Sequence, residues 1–163
     1  MPPPFPWVYR YVEDPAGAML HGREVLRPMV TMSVAGMRNS VLGLVDSGSE
    51  RTIIAPWIGR ELGLDPDPHA PSIPLGMGGE TLPTAIHPVT LRVHAPEPNQ
   101  DAFVEWETDI GIPTKWRAPV WNAILGGIGF FNRLTVTMQR DVQALVLEPF
   151  EKFEERFRSH LPR

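Results

Sequence analysis

Apolar and polar residues alternate along Met29-Val30-Thr31-Met32-Ser33-Val34. The residue types are β-formers, so this stretch predicts a strand. Ala35-Gly36-Met37-Arg38-Asn39 reads as a turn, and Ser40 to Val45 predicts a second strand. That strand is apolar at Val41, Leu42, Leu44 and Val45, the mark of a segment covered on both faces. It stops at Asp46-Ser47-Gly48-Ser49. Thr52-Ile53-Ile54-Ala55 predicts a short strand. Pro56 opens a short helix, with Ile58 and Leu62 one turn apart and Gly63 as its stop. Further strands are expected at Val89 to Val93 and Phe103 to Trp106, with Gly76-Met77-Gly78-Gly79 as a hairpin tip. Ala123-Ile124-Leu125 is followed by a short helix around Ile128 to Phe131. A hairpin then joins Leu134–Met138 to Ala144–Leu147 around Arg140-Asp141. The last segment changes period: Phe150, Phe153, Phe157 and Leu161 recur at helical spacing between charges, which predicts an amphipathic helix. The expected organisation is a Pro-rich extension over residues 1–23, a β domain over 24–149 and a helical tail over 150–163. Within the extension, Trp7 to Val12 predicts one edge strand.

Composition narrows this picture. The chain has 163 residues, enough for one domain with a real core. Its 19 prolines argue against a helical bundle, because an interior proline breaks a helix. They avoid residues 29–55 and 120–148, and proline is kept out of central strands. The buried sheet is therefore expected in those two windows. A formal net charge of −4 gives no general nucleic-acid footprint. No run approaches the ~18 apolar residues of a membrane span. Met1-Pro2-Pro3-Pro4-Phe5-Pro6 lacks the basic start and apolar core of a signal peptide. Cysteine is absent, so there are no disulfides, and a cytoplasmic protein is expected.

The candidate chemistry is narrow. His21, His69, His87, His94 and His160 show no metal spacing, and no metal or organic cofactor is expected. No nucleophile elbow appears, and Gly76–Gly79 lacks the GxxxxGK[ST] setting of a phosphate loop. Asp46-Ser47-Gly48 at the end of an apolar strand is different. As a plain turn it would close the strand, with Gly48 at a positive φ. In its full context, Arg27-Pro28-Met29-Val30-Thr31 precedes a turn, an apolar strand and Asp46-Ser47-Gly48-Ser49-Glu50-Arg51-Thr52-Ile53-Ile54. The Gly76–Gly79 cluster, Ile124-Leu125-Gly126 and the segment Gly127 to Met138 follow in order.

Together these resemble the retropepsins, the retrovirus-type aspartic proteases, over roughly residues 27–148, and more closely the bacterial and ubiquitin-shuttle retropepsin-like proteins. The resemblance implies an all-β fold, a small closed acid-protease barrel with a short internal helix or two and a C-terminal amphipathic helix. It implies Asp46 as the catalytic carboxylate and Ser47, Gly48 and Ser49 as the active-site loop. Gly76, Met77, Gly78 and Gly79 would form the flap. Val45, Ile54, Ile124, Leu125 and Gly126 would line the substrate pocket. Aspartic proteases share one proton between two carboxylates, and this chain has a single Asp-(Ser/Thr)-Gly. The second carboxylate would come from another copy, making a homodimer that hydrolyses an extended peptide or unfolded protein, without nucleic acid or membrane as partner. Ser49, where pepsin-like members carry a hydroxyl, would hydrogen-bond the carboxylate and lower its pKa. Gly127 replaces the arginine that viral members carry. Glu50 would pair with Arg27 across the interface, or with Arg51. Two other roles are open to such a chain: an inactive dimeric peptide-binding module, or a monomeric barrel in which Asp46 only caps a turn. Residues 1–23 would be a removable propeptide or an added strand.

Overall fold

Alternation becomes strands over most of the chain. The computed structural model describes residues 4–64, 72–77, 80–118 and 120–159. In order they form β1 (Trp7–Arg10), β2 (Val12–Glu13), α1 (Pro15–His21), β3 (Leu26–Arg27), β4 (Met29–Val34) and β5 (Val41–Val45). Then come β6 (Ile53–Ile54), α2 (Pro56–Glu61), β7 (Ser72–Met77), β8 (Glu80–His94) and β9 (Phe103–Pro113). The chain continues through β10 (Ala123–Leu125), β11 (Leu134–Gln139), β12 (Ala144–Pro149) and α3 (Phe150–Phe157).

Six strands close on themselves. The order β4-β5-β10-β6-β9-β8 returns to its start because β8 also pairs with β4, while β7 lies outside the ring as the partner of β8. The inward side chains make one core. Met32, Ile54, Ile58, Leu91, Val93, Ile110, Ile112 and Leu125 have no exposed surface. Burying a side chain of this kind stabilises by about 1.5–3 kcal/mol. The mostly-β, barrel-forming class expected from the sequence is the one the chain adopts.

Two expectations change. The sheet is not confined to the Pro-free windows, because Pro74 lies in β7 and Pro83 and Pro88 lie in β8. Pro88 is tolerated for a local reason. The carbonyl of Thr90, two residues on, accepts from Ala35 N on the β4 side. Pro88 therefore faces that side too, where β4 pairs only with Leu91 to Val93. No ladder bond is lost. The helix expected around Ile128–Phe131 is instead a series of turns. Phe131 N donates to Gly126 O and Asn132 N to Gly127 O, spans too wide for an α-helix, and Gly129 holds φ +100°.

The N-terminal segment pairs outside the barrel sheet but packs into its core. β1 is an edge strand, as expected, and pairs antiparallel with β12, which pairs in turn with β11. Trp7 and Tyr9 enter the common core, and Tyr9 Oη donates to His94 O at 2.6 Å. Burial pushes the Tyr9 hydroxyl far above its ordinary pKa. β2 and β3 pair across the expected boundary at residue 23. Between them α1 is capped by Asp14, whose Oδ1 accepts from Gly17 N at 3.0 Å, and is closed by Gly22 in the left-handed region. α3 forms the first part of the predicted amphipathic tail, with Leu161 outside the described residues: the rings of Phe150, Phe153 and Phe157 follow one another along it, and Arg156 pairs with Glu148 of β12. Among the described residues no helix is long and apolar enough to cross a membrane.

Candidate active site

The Asp46 loop begins where β5 is gripped from both sides. Val45 N donates to Pro28 O at 2.8 Å, and Asp46 N donates to Leu125 O at 3.1 Å. The chain then turns tightly. Gly48 N donates to Asp46 Oδ1 at 2.9 Å, and Ser49 N donates to Asp46 O at 3.1 Å. The side chain thus closes its own turn. Asp46 is half-buried, and Ser47 and Gly48 are exposed. Gly48 does not take a positive φ. Its smallness serves the close approach instead, since a Cβ there would lie 3.2 Å from Asp46 Oδ1.

The far side of the loop is held by main chain. Gly127 N donates to Ser49 O at 2.9 Å and Ile128 N to Glu50 O at 2.8 Å, while Thr52 N donates to Ile128 O at 2.7 Å. These two segments lie so close that a Cβ on Gly126 would be 2.5 Å from Arg51 O, and one on Gly127 would be 2.8 Å from Glu50 O. Glycine at 127 admits a backbone ladder that ties the loop to the segment after β10.

Thr52 is the residue that sequence reasoning missed. It is fully buried. Its Oγ1 accepts from Gly126 N at 3.2 Å and its carbonyl accepts from Gly111 N at 2.9 Å. One side chain and its backbone thus join the Asp46 loop, β10 and β9. The signal was a threonine opening an apolar run, and it was read only as part of a strand.

The expected loop, pocket and ion pair fare differently. Ser49 does not bond the Asp46 carboxylate. Its Oγ donates to Arg51 O at 2.8 Å, satisfying a loop carbonyl instead. Val45, Ile54 and Leu125 do not line a surface pocket. They are 3 %, 0 % and 0 % exposed and belong to the barrel core. Gly126 is buried beneath the loop backbone. The cause is parity, because neighbours on a strand face opposite ways. Ile124 is the half-buried one, and its register partners are Leu44 on β5 and Ile53 on β6. Those two were not anticipated.

Arg27 does not pair with Glu50 within the chain. Its Nε donates to Asp14 Oδ2 at 2.8 Å, and its guanidinium lies 5.6 Å from the Trp121 ring centre. Asp14 is 2 % exposed. The bond from Gly17 N, then Arg27, holds its carboxyl below the usual aspartate range against the opposing effect of burial. Glu50 is exposed and forms no ion pair with another described residue, Arg51 included.

The expected flap falls on the β7–β8 hairpin, which pairs from Ser72↔Ala85 to Met77↔Glu80. Gly76 and the Met77 main chain lie in β7, while Gly78 and Gly79 lie outside the described residues. The hairpin base rests on Gly111. A Cβ there would meet Thr84 Cγ2 at 2.7 Å, Ile53 Cγ2 at 2.8 Å and Leu75 Cδ1 at 3.5 Å. Gly111 of β9 thus leaves room where Thr84 and Leu75 of the hairpin converge with Ile53 of β6, the strand that follows the Asp46 loop.

The chain thus carries an Asp-Ser-Gly turn at one strand end of a closed six-strand barrel. No family model and no curated protein matches the chain. Among solved structures it is similar to a retropepsin-like aspartic protease from Rickettsia conorii, with 10 % identity, a TM-score of 0.48, and coverage of 90 % of this chain and 96 % of that one.

Proposed function

We propose that this chain is an aspartic endopeptidase working as a homodimer, with Asp46 as its catalytic carboxylate. One observation carries the reading: the Asp46 carboxyl is half-exposed, while the loop that bears it is fixed at both flanks by backbone bonds to Leu125, Gly127 and Ile128. Fixed geometry with solvent access is what a group activating water needs. A single carboxylate cannot both take a proton from water and protonate the carbonyl oxygen. Two Asp46 side chains, one from each copy, sharing one proton perform both tasks. Arg27, with only its Nε engaged by Asp14, has further donors for Glu50 of a second copy. The substrate is an extended peptide or unfolded protein. It lies beneath the β7–β8 hairpin and against Ile124 and Leu44, recognised by strand-like pairing. A cytoplasmic, bacterial setting belongs to the same reading.

Wild type and Asp46→Asn are incubated with an unfolded protein from acid to neutral pH. Asparagine keeps an amide oxygen for Gly48 N, so the turn survives while the acid is lost. Cleavage by wild type alone, from a species that sediments as a dimer, is expected. Cleavage by both variants, or a monomer that still cleaves, would overturn the proposal. A dimer in which neither variant cleaves would favour the inactive peptide-binding module.

A further inference from the structure

A cleft of about 540 Å³ lies between the β2–β3 ribbon and the β11–β12 turn. Tyr11 and Met138 line it together with Arg23, Arg27 and Arg140, and Glu24 is the one carboxylate among the lining side chains. The guanidinium groups of Arg23 and Arg140 make no hydrogen bond or ion pair with any described residue. Arg27 is held from behind by a buried carboxylate, Asp14, through Nε alone. Three guanidiniums around one cavity locally reverse the sign of a chain whose net charge is −4. Even with Glu24 and Asp14 counted, the balance there is positive.

We infer that this cleft binds an acidic peptide segment in which a carboxylate stands beside an apolar side chain. Guanidinium forks match carboxylates in a way that ammonium groups do not. Tyr11 and Met138 offer apolar surface next to them, and Met138 is 39 % exposed. Fixing Arg27 through Asp14 lowers the entropy lost when a ligand meets it. The site shares Arg27 with the ion pair proposed to Glu50 of a second copy, whereas Arg23 and Arg140 have no part in the proposed cleavage or dimer, so these two read the inference separately.

The test uses the full-length Asp46→Asn protein, which removes the proposed cleavage activity, and labelled peptides of alternating Glu and Leu, Gln and Leu, or Lys and Leu. Fluorescence anisotropy is expected to show binding of the Glu peptide, weakening as salt rises from about 0.05 to 0.5 M because the Debye length shortens. Arg23→Gln and Arg140→Gln are each expected to weaken it by about fivefold, the effect of a partly exposed charge pair. Unchanged thermal unfolding would show that both variants fold. Equal binding of the Gln peptide, no binding of the Glu peptide, or insensitivity to both substitutions would overturn the inference. So would loss of self-association in the double variant with peptide binding intact, which would make a second copy the occupant.

Discussion

Replacing Gly126 by alanine leaves the new methyl no room. Its carbon would sit 2.5 Å from Arg51 O and 2.7 Å from Ser49 O, where a carbon and a carbonyl oxygen need roughly 3.3 Å or more. Both neighbours are backbone atoms, so no rotamer change relieves the clash. The segment after β10 must move away from the Asp46 loop. That motion stretches the bonds from Gly127 N to Ser49 O, from Ile128 N to Glu50 O and from Gly126 N to Thr52 Oγ1. At about 1 kcal/mol net for each bond, their loss amounts to about 3 kcal/mol. Overpacking strain adds about 1–3 kcal/mol. A destabilisation of about 4–6 kcal/mol lowers Tm by about 10–20 °C for a domain of this size. Urea and thermal unfolding of Gly126→Ala, followed by circular dichroism, measure it. Gly76→Ala is the control: a Cβ there meets nothing within 4 Å, so a change below about 0.5 kcal/mol is expected. A Gly126→Ala protein within about 1 kcal/mol of wild type would refute the picture of a backbone ladder bracing the loop.

Thr52→Val keeps the shape but leaves Gly126 N without its buried acceptor, and a loss of about 1–3 kcal/mol is expected in urea unfolding. Asp14→Asn retains an oxygen for the α1 cap and removes the charge facing Arg27, whereas Asp14→Ala removes both, so alanine is expected to destabilise more. The folded pKa of Asp14 lies below its ordinary value of 3.8. Its contribution is thus complete above that value and is lost as pH falls from there through the folded pKa. Unfolding from pH 7 downward should show a smaller acid-side decline for Asp14→Asn than for wild type. An identical decline would remove Asp14 from the acid response. Arg156→Met leaves Glu148, 6 % exposed, without its cation; a Tm below that of wild type at neutral pH is the expected sign, and an unchanged Tm would remove the pair from the stability of the tail.

Strands with a clean period were readable from the chain alone. Met29–Val34 falls where alternation put it, and Val41–Val45 and the β11–β12 hairpin fall where their apolar residues put them. Proline was a less dependable guide. Whether it is tolerated depends on which edge of β8 lies opposite another strand, and that is settled by partners far along the chain. The Asp46 turn was legible because a strand end, a carboxylate and a glycine are local. The roles of Ser49, Thr52 and Asp14 were not. Thr52 and Asp14 chose partners that folding brought to them, Gly126 N and Arg27, and Ser49 turned to the nearby Arg51 O instead of the carboxylate. Of the expected pocket residues, Val45, Ile54 and Leu125 face the core and Ile124 does not, since an apolar run such as Ile124-Leu125 hides which member faces inward until its register is known.

The pairing of β1 with β12 bears on how the molecule is made. Trp7 finds Leu147, and Tyr9 finds Leu145, only after nearly the whole chain lies between them. Closing so long a loop carries an entropic cost before any contact repays it. On the ribosome, the aromatic side chains of β1 emerge long before β12, the strand they pair with. In that interval Trp7 and Tyr9 are open to chaperones and to other nascent chains. Topology of this kind places the protein among slow folders. Its period of greatest vulnerability is therefore synthesis, before β12 has arrived.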